Sequence, residues 1–279
     1  MLSQEKMIRI HAKQPVLTSS ENFFTLENYC LYLIHLRAYE EAARMAVDKR
    51  VLDLGCNNGY GSNVISEYSK EIVGVDVSPD VIKEARRQFK SGNIRFQVID
   101  GKSLPFEDNR FDLVVSYQVI EHIIDYESYF SEIIRVLAPK GKAVFTTPNA
   151  ALRLDPGMKP WNKFHVREFT GIDLKNLLLK FFENVYIQGL FSDGPLYSIE
   201  YNRIKRAREN ARKFRSKIKD ALPVSIVQKL RKIKNLLKKN KRMINFKADQ
   251  YSTKELFYSE ENLEKALDLM AICYKDGLE

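Results

Sequence analysis

Five runs rich in Val and Ile recur between Lys49 and Asn149: VLDL (51–54), IVGVDV (72–77), IRFQVI (94–99), FDLVVSY (111–117) and AVFTT (143–147). Their hydrophobicity is continuous rather than alternating, which marks strands buried on both faces of a parallel sheet. Helix patterns separate them. At Ser78-Pro79-Asp80, Ser78 suits an N-cap, Pro79 the first helical position and Asp80 the positive end of the dipole. Another helix is predicted from Asp125 through Leu137, stopping at the Pro139-Lys140-Gly141 turn. Alternating βαβ units of this length predict a doubly wound α/β sheet. Beyond them, Thr170–Phe181 reads as a capped helix, 185–191 as a strand and 267–274 as a final apolar strand. Asn28–Ala46 reads as a helix that could lie over the ligand edge of the sheet.

The strongest local signal follows the first run. VLDLGCNNGYGS (51–62) places Asp53 near the end of a buried strand and then a tight turn with Gly55, Gly59 and Gly61. Such a turn admits a ligand to the backbone, and the helix after it aims unpaired N–H groups at the ligand's anionic end. Asp76 ends the second strand 21 residues after Gly55, where a nucleoside-binding sheet places a carboxylate for the ribose hydroxyls. Asp100, followed by Gly101, could accept from an adenine amino group. A nicotinamide site would require G-x-G-x-x-G, and the turn here reads Gly55-Cys56-Asn57-Asn58-Gly59 instead.

Together these residues resemble the class I S-adenosylmethionine-dependent methyltransferases over about residues 30–190. VIDGKSLPFEDNRFDLVVSYQVIEHIIDYESYFSEIIRVLAPKGKAVFTTPN (98–149) is similar to the family's later motifs, with closest likeness to members acting on small molecules, quinone precursors and bacterial glycans. The resemblance implies a Rossmann-like, mostly parallel seven-stranded sheet, its last strand inserted antiparallel, and S-adenosyl-L-methionine as cofactor. It further implies that Asp53, Gly55 and Gly59 surround the methionine part, with Cys56 and Asn57 of the same turn also binding the cofactor. Asp76 and Val77 would hold ribose and adenine, Asp100 and Gly101 the adenine edge, with Gln118 beneath. The family's usual turn has glycine where Asn57 stands; asparagine is among the few residues that tolerate left-handed geometry.

Methyl transfer to a hydroxyl rests on alignment, a dry site and, for an oxygen of high pKa, a base. His165, in WNKFHVREF (161–169), is the first candidate; it would act as a base or orient its loop. His122, in EHI (121–123), would contact cofactor or acceptor, or join Glu121 at a divalent ion. Two such residues are too few to claim a metal site. Tyr29, Arg37 and Tyr39 would close over the cofactor or pack the leading helix on the sheet.

Charge separates one segment from the rest. Residues 201–245 hold 17 Lys and Arg against Glu209 and Asp220 alone, a net +15 in a chain of net +9, so the remainder carries −6. Ile204, Ala207, Ala211, Phe214 and Ile218 trace one helix face; Pro223 breaks it, and Ile226, Val227, Leu230, Ile233 and Leu237 trace a second. The chain is thus read as an N-terminal helical cap (1–48), a cofactor-binding domain (49–200 with 246–279) and a basic helical insertion (201–245). The insertion suits an anionic membrane surface first, then a lid or homodimer arm, and least of all nucleic acid, since only Tyr201 and Phe214 offer stacking. Scattered Cys30, Cys56 and Cys273 argue for a reducing compartment, and no run reaches the roughly 20 apolar residues of a membrane span. The expectation is a cytoplasmic enzyme, peripheral at the inner membrane face, that O-methylates a small-molecule, glycan or lipid-linked acceptor. An RNA-modifying enzyme and a scaffold that kept the fold without the chemistry are the alternatives.

Overall fold

The computed structural model describes residues 25–219 and 250–276. Five parallel strands, β1 (Arg50–Leu54), β2 (Glu71–Asp76), β3 (Ile94–Val98), β4 (Phe111–Tyr117) and β5 (Leu137–Pro148), are continued by β6 (Asn184–Ser192), β7 (Leu256–Ser259) and β8 (Asp268–Tyr274). Their order is β3-β2-β1-β4-β5-β8-β6-β7, with β8 antiparallel to both β5 and β6. The sheet therefore has eight strands, not the seven expected. The extra one, β7, is a four-residue strand at the sheet's edge, pairing only with β6, too short to show a period in sequence.

Among the described residues seven α-helices flank the sheet: α1 (Leu26–Met45), α2 (Tyr60–Ser66), α3 (Pro79–Gln88), α4 (Tyr126–Val136), α5 (Ala150–Arg153), α6 (Gly171–Leu178) and α7 (Pro195–Lys219). Side chains set several starts. Thr25, Asp125 and Thr170 accept from the backbone N–H of Asn28, Ser128 and Asp173. Ser78 stands at the N-cap of α3 but makes no side-chain cap bond; its N–H donates to Asp76 instead.

The pleat sends Val51, Leu113 and Val144 into the core on one face and Leu52, Val114 and Phe145 into the core on the other. A third, smaller core joins α1 to α7 through Cys30, Leu33, Ile34, Leu196 and Ile204. The helix expected to begin the basic segment thus starts at Pro195 and packs on the body. Its arginines latch it there: Arg206 to Glu27, Arg212 to Asp155, and Arg208 to the Leu152 carbonyl. The second predicted helix, Ile226 to Leu237, lies outside the described residues.

The strand order reverses between β1 and β4. In an open α/β sheet the crevice at the carboxyl ends of such strands is where ligands bind.

Candidate active site

That crevice holds a cavity of about 730 Å³. The turn after β1 forms one wall. Gly55, Asn57 and Gly59 all have positive φ, at 88°, 52° and 82°, so the asparagine adopts the left-handed geometry expected of it. Gly55 and Asn57 line the cavity, as do Asp76, Val77, Gly101 and Gln118. Asp76 Oδ2 accepts from the Asn57 N–H at 3.1 Å and Oδ1 from the Ser78 N–H at 2.9 Å, which ties the turn to the tip of β2. Val77, Ile99 and Leu104 supply an apolar wall beside it.

Other residues expected at the cofactor stand elsewhere. Asp53 is fully buried beneath the turn, where it accepts from Ser62 Oγ at 2.6 Å and Tyr39 Oη at 3.4 Å. Cys56 is buried. Gly59 serves packing: a Cβ there would lie 2.6 Å from the Phe96 ring. The Asp100 carboxylate is exposed and accepts from the N–H groups of Lys102 and Ser103, so it braces its own loop rather than reaching into the cavity. On α1, Tyr39 lines the cavity, whereas Arg37 pairs with Glu41 and the Leu256 carbonyl, and Tyr29 donates to the Tyr251 carbonyl.

Burial pushes the Asp53 carboxyl up to about 7, with the charge of Asp76 adding to it and the Ser62 and Tyr39 bonds opposing it. A carboxyl raised on folding contributes stability that is full below its unfolded value near 4 and is lost as pH rises toward 7. His35 and His122, both lowered by burial, contribute the opposite slope below about 6.5. Asp53→Asn isolates the first effect: relative to the wild type it should gain stability from pH 4 to 7 in urea titrations. A stability difference independent of pH would refute the protonated Asp53.

The opposite end of the cavity, beneath β4 and β5, carries Glu121, His122, Arg153, Trp161, Asn162 and His165. Glu121 and His122 sit on a single 3₁₀ turn, Ile120–His122, after β4. The Nδ1–H of His122 donates to the Phe164 carbonyl at 2.9 Å, so Nε2 is that ring's acceptor nitrogen. The two histidine rings meet edge to face, with centroids 4.9 Å apart. His165 Nδ1 bonds Glu168 Oε1 at 2.7 Å, and its Nε2 meets the Asn162 amide at 2.7 Å. Glu168 also takes a bidentate ion pair from Arg153, at 2.9 and 3.1 Å, and the Arg153 guanidinium lies 4.1 Å from the Trp161 ring centroid.

Burial opposes ionisation of Glu168, but His165 and Arg153 together hold its carboxyl below the ordinary range. Burial pushes Glu121 up to about 7, with His165 and the Thr147 hydroxyl opposing. Glu121, His122 and His165 bring one ligand atom each within 4.8 Å of one another. The structure thus adds a third donor to the Glu-His pair, a set that could hold a divalent cation.

Arg153, Trp161, Asn162 and Arg203 escaped recognition from sequence as site residues, whereas Glu168 falls in the His-x-x-Glu-Phe stretch at His165 that the resemblance places near the site. Trp161 is the chain's single tryptophan and lies four residues from His165, a signal that could have singled it out within the loop already marked by His165.

Residues 52–145 match the family described as "Methyltransferase domain". A protein of Mycolicibacterium smegmatis described as "Probable S-adenosylmethionine-dependent methyltransferase" is 34% identical over 153 residues, 54% of this chain and 58% of that protein. One of the same description from Mycobacterium tuberculosis is 33% identical over 174 residues, 61% of each chain. The chain thus spans about three fifths of the length of these curated relatives. Among solved structures, the cyclase SpnF superposes with a TM-score of 0.60 at 17% identity, covering 99% of this chain and 98% of that one. That likeness shows the fold, and a cyclase on it leaves the chemistry to the site.

Proposed function

We propose that this chain, which belongs to the class I S-adenosylmethionine-dependent methyltransferases, methylates an acceptor hydroxyl held beside His165. One observation carries the reading: a single continuous cavity touches Asp76 and Gly101 at one end and His122 and His165 at the other. The residues at the first end suit an adenosyl group. Asp76 presents a carboxylate for a ribose diol, and Val77, Ile99 and Leu104 offer an apolar face for a purine. S-adenosylmethionine, when bound, supplies a methyl group on an electrophilic sulfonium.

At the second end, Glu168 fixes the tautomer of His165. Its carboxylate accepts from Nδ1–H, which leaves Nε2 as the proton acceptor. The Asn162 amide now donates to that lone pair. An acceptor hydroxyl in its place would give its proton to Nε2 as its oxygen bonds to the methyl carbon, while the methyl–sulfur bond breaks and its electron pair stays on sulfur, leaving S-adenosylhomocysteine. Burial of the surrounding groups keeps water out and strengthens these interactions. His165→Ala should lower turnover about 100-fold, the lower end for a lost base, with cofactor affinity within about twofold. The assay is transfer of labelled methyl from the cofactor into fractionated cell extract; unaltered turnover would remove His165 from the mechanism.

The basic run 220–245 supports an acceptor at a membrane surface, glycan or lipid-linked, since each cation near an anionic headgroup layer contributes about 1 kcal/mol. Among the described residues no helix is long and apolar enough to cross a membrane. Flotation with anionic vesicles should succeed at low salt and fail at high salt; no flotation on anionic vesicles at low salt contradicts this placement.

A further inference from the structure

The acceptor end of the cavity has a polarity that the methyl-transfer chemistry leaves unused. Arg203, on α7, lines the same cavity as Arg153. Each guanidinium is held from behind through Nε and one terminal nitrogen: Arg153 by Glu168, and Arg203 by Glu200. Both glutamates are buried, and neither belongs to the cavity wall. Both pairs border the same cavity through their arginines. Positive groups therefore face the cavity while their counter-charges sit behind.

A third donor joins them. The indole Nε1–H of Trp161 is buried and has no hydrogen-bond partner among the described residues, although Trp161 lines the same cavity. Arg153 lies over its ring, 4.1 Å from the centroid, and an unpaired buried donor gains from an acceptor oxygen brought to it. The remaining terminal nitrogen of each arginine and this indole are donors in residues that line one cavity, which the acid Glu121 also lines.

We propose that the acceptor carries an anionic oxygen group, a carboxylate or a phosphate, docked by Arg203, Arg153 and Trp161 while its hydroxyl faces His165. This rests on the methyl-transfer reading for the hydroxyl, but the anion site stands on its own geometry. It also gives α7 a function: the helix delivers Arg203 to the cavity, and its latching arginines hold it there.

The test titrates the protein, saturated with S-adenosylhomocysteine, with benzoate, phenyl phosphate and phenol, which share a ring and differ in charge. At least one anion should bind ten or more times tighter than phenol, and the tighter anion names the group. Arg203→Gln should weaken that anion about tenfold or more, the effect of one charge-assisted bond. Arg203→Lys should restore part of the loss, with affinity for S-adenosylhomocysteine unchanged in both. Arg153 is too deeply paired for a clean variant, so Trp161→Phe provides the second: it keeps the ring over Arg153, removes the orphaned donor, and should weaken the anion several-fold without lowering the melting temperature. Phenol binding as tightly as the anions, no anion binding up to millimolar concentrations, or an Arg203→Gln affinity within twofold of wild type would overturn the proposal. Repeating the titration without S-adenosylhomocysteine separates the two failures: anion binding without cofactor binding would sink the methyltransferase reading and leave this site standing.

Discussion

Glu168→Gln is expected to lower unfolding stability by about 3–5 kcal/mol, because it strands the buried Arg153 guanidinium without its counter-charge. The side chain of Glu168 is fully buried and that of Arg153 nearly so, and solvent does little to screen such a pair. A glutamine also turns N–H groups toward guanidinium N–H groups. The double variant Arg153→Met with Glu168→Leu should recover more than half of the loss, since an apolar pair of similar volume removes both buried charges together. The carboxyl of Glu168 is depressed on folding. Its contribution is therefore present above the unfolded value near 4.5 and lost as pH falls through the lower folded value. The gap between wild type and Glu168→Gln should close in strong acid, read by urea titration across pH. A variant within about 1 kcal/mol of wild type at pH 7 would show that the ion pair does not organise this loop.

Asp76→Ala should weaken binding of S-adenosylhomocysteine by several hundredfold. A carboxylate receiving two ribose hydroxyls makes two charge-assisted bonds of about 1.5–3 kcal/mol each, so even the lower figure doubled exceeds 100-fold. The substitution also removes the acceptor for the Asn57 and Ser78 N–H groups, which loosens the turn that the cofactor needs. Asp76→Asn keeps one acceptor oxygen without the charge and should fall between, near tenfold. Calorimetric titration of the three proteins measures this ladder. Equal affinities would mean that Asp76 neither receives the ribose hydroxyls nor holds a turn on which the cofactor depends.

The strands and the glycine turn were legible because their signals are local. Continuous Val and Ile runs, such as 72–77 and 111–117, follow directly from burial on both faces of a sheet. Gly55, Asn57 and Asp76 occur at spacings that strand and turn geometry dictate. What stayed hidden depends on contacts between distant residues. Arg153 and Glu168 lie 15 positions apart with no periodic pattern joining them. Arg203 belongs to a segment whose cationic surface suggests a solvated or membrane-facing helix, yet Ile204 beside it is buried against α1. The carboxylates mislead for a related reason. Asp53 and Asp100 stand at the expected strand ends, but one is drawn beneath the turn by Ser62 and the other folded onto its own loop. Sequence position fixes a backbone site; the competing hydrogen bonds decide where the side chain points.

The central claim is that the crevice between β1 and β4 is an adenosyl site. Isothermal titration of the wild-type protein with S-adenosylmethionine, S-adenosylhomocysteine and NADH tests it most directly. The account predicts saturable heat at one site per chain for the first two and none for the third. Heat with NADH and silence with both adenosyl compounds would contradict it.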